Sequence, residues 1–282
     1  MAAIDESRYI VVRDLKGYED GARLGILQAF EDRQYSIDLV PVSDWMHPDG
    51  RPSDLEAVCS TPWRPGEFLI LESGRWNEMY GRLFHMRIES SEVGDRVDVL
   101  HVYELPEFDG KGPDDPGDEM EGLACAPHSD GRTLVMVGER GGSAAYPNGL
   151  LRWFTMDPDS HVVQWTPEGR TGLEVDAPGE WHVRELNRDI SALHLFADGT
   201  LWAAATDDVS DVGPFSSVVY LLGQVWPDVE SPIRLLPEFT AERTVSGFKI
   251  EGLADGTEAT PISNFAIGTE DEVFGGTWRP LH

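Results

Sequence analysis

Acidic side chains recur in this 282-residue chain at two places in a repeated pattern. One phrase occurs four times, as SDLEAV (53–58), EMEGLA (119–124), DISAL (189–193) and KIEGLA (249–254). It puts Glu56, Glu121 and Glu251 in equivalent positions and Ser191 in the third copy. A second apolar run then closes on an acid 16, 18, 16 and 19 residues later, at Glu72, Glu139, Asp207 and Glu270, and Asp14 closes a similar run near the start. Carboxylates that converge without compensation must raise one another's pKa or recruit a cation. An all-oxygen set suits calcium, which takes about 6–8 oxygens, and suits magnesium less because that ion keeps more of its water. The expected metal ligands are Glu56, Glu121, Glu251, Glu139 and Glu270, with Asp14, Glu72 and Asp207 completing an acidic rim. Arg75 follows Glu72 in ESGRW and Arg140 follows Glu139 in GERGG, and guanidinium groups there could clamp a phosphate or carboxylate.

These positions make sense only if the chain repeats one supersecondary unit. The turns between the paired runs are WRPGE, SDGR, ADGT and DGTEA, and the Asp-Gly pairs at 130–131 and 198–199 are strong hairpin signals. Third and fourth strands follow, as in GRLFHMRI with RVDVLHVYEL and SVVYLLGQV with PIRLLPEF. The intervals between repeats, 65, 70 and 60 residues, suit four-stranded blades with generous loops. The expected fold is all-β: a propeller of five antiparallel blades, near 8–45, 53–107, 118–168, 188–240 and 248–282, closed by pairing of terminal strands. A six-bladed ring with a degenerate unit in 167–189 is the alternative. Antiparallel strands bring the start of each first strand and the end of each second strand to one mouth of the central channel. Both sets of acids should therefore share that mouth.

Composition sets limits on the partner. There are 51 Asp+Glu against 22 Lys+Arg, only three of them lysine (Lys16, Lys111 and Lys249), for a formal charge of −29. Such a surface repels polyanions, which excludes nucleic acid and anionic membranes as expected partners. It has the character of a salt-adapted proteome or of a GC-rich genome, and self-repulsion should weaken it at low ionic strength. No window nears the ~18–20 apolar residues of a membrane span, and no leader pattern opens the sequence, so a cytoplasmic monomer is expected. Cys59 and Cys125 sit in apolar runs with no CxxC or nearby histidine, and are expected as buried small residues without a disulfide.

Other motifs carry less. GERGGSAAYPNG has no helix behind it to cradle phosphate. Ser191 has no argued base beyond His194, which reads as a packed strand histidine. The acid-rich 109–119 lacks EF-hand spacing. Trp45, Trp76 and Tyr146 fall on expected mouth loops, where they could stack on a ligand.

DLEAVCS with FLILESGRW, EGLACAPHSDGRTLVMVGERGG, and KIEGLA with FAIGTEDE resemble the phytase-like β-propellers, including the group described as having esterase-like activity of phytase. The resemblance spans most of the chain and implies a propeller with a polar, often calcium-bound channel mouth and phosphomonoester or ester hydrolysis. Glu56, Glu121, Glu251, Glu139 and Glu270 stand at matching motif positions, while Ser191 departs from the pattern. The resulting expectation is a Ca²⁺-dependent hydrolase of a small anionic phosphate or other ester, with Glu121, Arg75 and Arg140 catalytic. The alternative is a non-catalytic ligand- or protein-binding propeller whose acids are structural. A glycoside- or lactone-active propeller is the third reading, because paired carboxyls can work as acid and base.

Overall fold

The computed structural model describes residues 1–15, 21–31, 34–42, 44–45, 54–73, 81–91, 94–105, 118–207, 209–256 and 265–281. They form five antiparallel sheets. The first holds β1 (Ala2–Ala3), β2 (Arg8–Val12), β3 (Leu24–Ala29) and β4 (Tyr35–Val40). The second holds β5 (Leu55–Ser60), β6 (Glu67–Glu72), β7 (Arg82–Ser91) and β8 (Gly94–Glu104). The third holds β9 (Met120–Pro127), β10 (Thr133–Glu139), β11 (Gly149–Met156), β12 (Val163–Trp165) and β13 (Leu173–Val175). The fourth holds β14 (Asn187–Leu195), β15 (Thr200–Asp207), β16 (Ser216–Val225), β17 (Ile233–Leu235) and β18 (Ala241–Ser246). The last holds β19 (Ile250–Asp255), β20 (Phe265–Thr269) and β21 (Trp278–Leu281).

The second strands explain the continuous apolar runs FLIL and LVMV. β6 and β10 are buried along their whole length, because each blade packs a neighbour on both faces. The two Asp-Gly turns fall where expected, with Gly131 at φ +92° and Gly199 at φ +85°, a conformation glycine adopts without penalty. Buried apolar residues divide into five clusters, one for each contact between neighbouring blades. Gly122 and Gly138 lie at the contact between the third and fourth blades, where a Cβ would come within 2.7 Å of Leu193 and 2.6 Å of Ile190.

Ring closure differs from expectation. Each terminus completes its own sheet: β1 pairs with β2, and β21 pairs with β20. The last and first blades meet face to face through Tyr9, Leu27, Ala254, Ala266 and Trp278, and the Tyr9 hydroxyl donates to the Asp255 carbonyl at 2.9 Å. The two-residue β1 supplies the inner strand that the sequence did not reveal, because two alanines carry no periodic signal. The stretch 167–189 contains a short helix, α1 (Pro167–Thr171), and β13, which extends the third sheet by pairing with β11, so the ring has five blades.

The expectation for the cysteines is overturned. Cys59 on β5 and Cys125 on β9 form a disulfide, with Cα atoms 5.9 Å apart. Neither has a partner nearby in sequence, but the ring sets the inner strands of adjacent blades side by side around the channel, within disulfide reach.

Candidate functional site

The register of the inner strands decides where the first set of acids points. Along β5, Leu55 pairs with Glu72 and Ala57 with Leu71, so Glu56 is the extra residue of a β-bulge. Glu121 on β9 and Glu251 on β19 occupy the same bulge position, between Met120 and Gly122 and between Ile250 and Gly252. A bulge re-aims a side chain that regular pairing would fix to one face. In the fourth blade the bulge is wider: Arg188 pairs with Thr206, and the register resumes at Ala192 with Ala204. Ser191, in the acid's place, donates to the Ile250 carbonyl of the next blade at 2.7 Å.

Arg188 compensates for the missing acid, and its guanidinium stands among the others. Its Nη1 lies 3.1 Å from Glu121 Oε1 and 3.1 Å from Glu251 Oε1. Lys249 Nζ adds contacts of 3.0 Å to Glu251 and 3.2 Å to Glu270 and also binds Glu272. Arg140 pairs with Glu119 and lies 3.9 Å from Glu121 and 3.8 Å from Asp118. Glu56, Glu251, Glu270 and Asp14 line one cleft of about 490 Å³ between the first and last blades, whose other walls include Tyr35, Ile37 and Leu39.

Charge is unevenly balanced there. Burial pushes the Glu56 carboxyl well above the ordinary carboxylate range, the nearby charges of Glu121, Glu251 and Asp14 push it further, and Arg188 only partly opposes them. Burial also raises Glu251 to about 7, helped by Glu121 and Glu270 and resisted by Lys249 and Arg188. Asp118, behind Arg140, rises to about 6 through burial. For Glu56 and Glu251 the native pKa exceeds the unfolded one, so the native state holds more protons over that interval and stability falls as pH rises through it. The Glu56→Gln variant should therefore be more stable than the parent at pH 8, by about 1 kcal/mol or roughly 2–4 °C in Tm, and no more stable at pH 4.5. Thermal melts at the two pH values check this; a variant less stable at pH 8 would contradict it.

The acids that close the second strands have other partners. Glu72 is fully buried; its Oε2 accepts from Arg82 Nε at 2.6 Å, its Oε1 from Arg82 Nη2 at 2.9 Å, and Arg23 of the first blade reaches Oε1 at 3.4 Å. Glu139 accepts from Arg152 Nε at 2.6 Å. Asp207, also fully buried, binds both the imidazole Nδ1 and the backbone N–H of His182. Each arginine stands at or near the start of a third strand, opposite the end of the second. The sequence reading did not single out Arg23, Arg82, Arg152 or Arg188, although RL recurs in ARLGILQ and GRLFHM.

Arg75 and Trp76 lie outside the described residues, as does 109–117 of the acid-rich connection. Trp45 packs edge-on against Phe84 at 5.3 Å and under the Arg23 guanidinium, which makes it part of the structure between blades. Tyr146 belongs to the loop before β11, whose carbonyl accepts from Ser143 N–H at 2.9 Å. His194 faces Asp255 and packs edge-on against Phe196.

This donor set does not fit calcium. Glu121 and Glu251 already share a fixed guanidinium, and a dication beside it would be repelled rather than caged by free oxygens. No group of three or more His, Cys, Asp or Glu is arranged to hold a metal ion among the described residues. Nor is any described helix long and apolar enough to cross a membrane.

No family model matches this sequence, and no curated protein does. The resemblance to phytase-like propellers therefore rests on the motifs alone. Solved structures similar to it include an endo-1,5-α-L-arabinanase from Thermotoga petrophila RKU-1, at 9% identity and TM-score 0.47, covering 96% of this chain and 67% of that one. A luciferin-regenerating enzyme matches at 8% identity and TM-score 0.38, covering 98% of this chain and 88% of that one. The five-bladed ring rests on the strand pairing described above, and these likenesses add nothing about substrate.

Proposed function

We propose that the cleft between the first and last blades is the active site of a hydrolase that cleaves an uncharged substrate, a glycosidic bond in preference to an ester, by general acid–base catalysis. One observation carries this reading: two carboxyl groups on matching bulges, Glu56 and Glu251, line a single cleft and are both held above the ordinary range. Groups of this kind divide into one protonated acid and one ionised base near neutral pH. Glu56, kept protonated by burial and by the nearby charges of Glu121, Glu251 and Asp14, donates its proton to the leaving oxygen. Glu251, oriented by Arg188 and Lys249, takes a proton from the attacking water. A phosphate substrate is a poorer fit, because Arg188, Lys249 and Arg140 are all engaged by carboxylates.

A panel of p-nitrophenyl glycosides, esters and phosphates, with and without Ca²⁺, tests the proposal. Turnover of a glycoside should not depend on calcium, should rise with pH as Glu251 ionises near pH 7 and fall again once Glu56 loses its proton, and should drop about 10²–10⁴-fold in Glu251→Gln and in Glu56→Gln. Calcium-dependent phosphate turnover would favour the metal-dependent esterase instead. No turnover on any substrate, or variants as fast as the parent, would favour the non-catalytic reading, to which the buried pairing of Glu72 and Glu139 lends support.

A further inference from the structure

The opposite end of the channel is built differently. There the inner strands of all five blades surround a cavity of about 550 Å³. Its walls are largely apolar, including the Cys59–Cys125 disulfide, Leu195 and Phe196, and its entrance is flanked by Pro62 and Pro227. Beside those prolines stand Trp63 and Trp226, 48% and 45% exposed although large and apolar.

Cross-blade bonds hold this entrance in shape. The Trp63 indole N–H donates to the Arg132 carbonyl of the third blade at 2.9 Å. From the third blade, Ser129 N–H donates to Asp228 Oδ1 of the fourth at 2.7 Å, with His128 3.5 Å from the same oxygen. Polar side chains of the wall are Ser60, Asp198, His194 and Asp255, with His194 Nε2 3.2 Å from Asp255 Oδ1. A mostly apolar cavity with a few convergent polar groups is the usual form of a small-molecule site.

The geometry points to this cavity as a second binding site, separate from the carboxyl cleft, for a small uncharged planar molecule with an apolar ring system and one hydrogen-bond donor. The ring lies against Phe196 and the disulfide, and Asp255 accepts from its donor. Anions are disfavoured by Asp255 and Asp198 at the opening.

Equilibrium dialysis with 2-naphthol at pH 7 tests this, with naphthalene as the donor-free control. One saturable site per chain is expected. Ala197 lines the cavity from an exposed turn, so Ala197→Trp should fill the entrance without disturbing the fold and weaken 2-naphthol at least tenfold. Asp255→Leu should weaken 2-naphthol about fivefold and leave naphthalene unchanged, the loss of one hydrogen bond. The proposal is overturned if the parent shows no saturable binding, if Ala197→Trp binds 2-naphthol as well as the parent, or if Asp255→Leu weakens both probes equally. Displacement of 2-naphthol by methyl glucoside would overturn the ligand class by assigning the cavity to sugars.

Discussion

The Glu72→Ala variant should lose about 3–5 kcal/mol of stability, the range observed when one member of a buried ion pair is removed. Glu72 has no exposed surface and is the shared acceptor for Arg82 of its own blade and Arg23 of the preceding one, both nearly inaccessible to water. Truncation leaves two buried guanidinium groups facing a cavity, which is a larger penalty than the pair's own net contribution. Denaturant titration should show a lower midpoint at an unchanged slope, since the surface exposed on unfolding is the same. Replacing Glu72 and Arg82 together by Leu and Met should recover part of the loss, because the desolvation cost then disappears with the charges. A midpoint equal to the parent's would mean that Glu72 is a solvated mouth residue after all. The contrast with Glu56→Gln, which should gain stability at pH 8, separates the two sets of repeated acids by the sign of one measurement.

The Cys59→Ser variant, or the reduced protein, should lose about 2–4 kcal/mol. The bond closes a loop of 66 residues and ties the inner strands of the second and third blades, so its removal restores conformational freedom to a long unfolded segment. The melting temperature should fall by roughly 5–15 °C. Reduction should have no effect on Cys59→Ser, which separates the bond from any other action of the reductant. Mass spectrometry after alkylation of unreduced protein reads the bond directly: two alkylated cysteines would contradict it. An ordinary cytosol keeps thiols reduced, so this result also bears on the compartment in which the chain works.

The ring was legible because its signals are local. FLILE, LVMVGE and LWAAATD are runs that only strands buried on both faces require, and the Asp-Gly turns mark the hairpins. Three of the first-set acids were visible as a repeat and share one guanidinium-centred network or cleft. What the sequence hid was long-range. Glu72 and Arg23 are 49 residues apart, and nothing in either segment announces that adjacent blades bring them together. Arg188 was hidden by the wide bulge before Ala192, which breaks the alignment where the positive charge enters. The cysteines look unrelated at 66 residues' separation, and become neighbours only once consecutive inner strands stand side by side. The acids repeat visibly in the sequence, but the basic partners do not: Arg23, Arg82, Arg152, Arg188 and Lys249 come beside them only through the fold.

The most direct test of the account is a pH titration of the glutamate carboxyl carbons by NMR in selectively ¹³C-labelled protein, in the parent and in Glu56→Gln and Glu251→Gln. A coupled pair titrating above the ordinary glutamate range is expected, with one step near pH 7 and a step lost in each variant. If every glutamate instead titrates below about pH 5, the cleft holds only ordinary carboxylates and has no acid–base pair to work with.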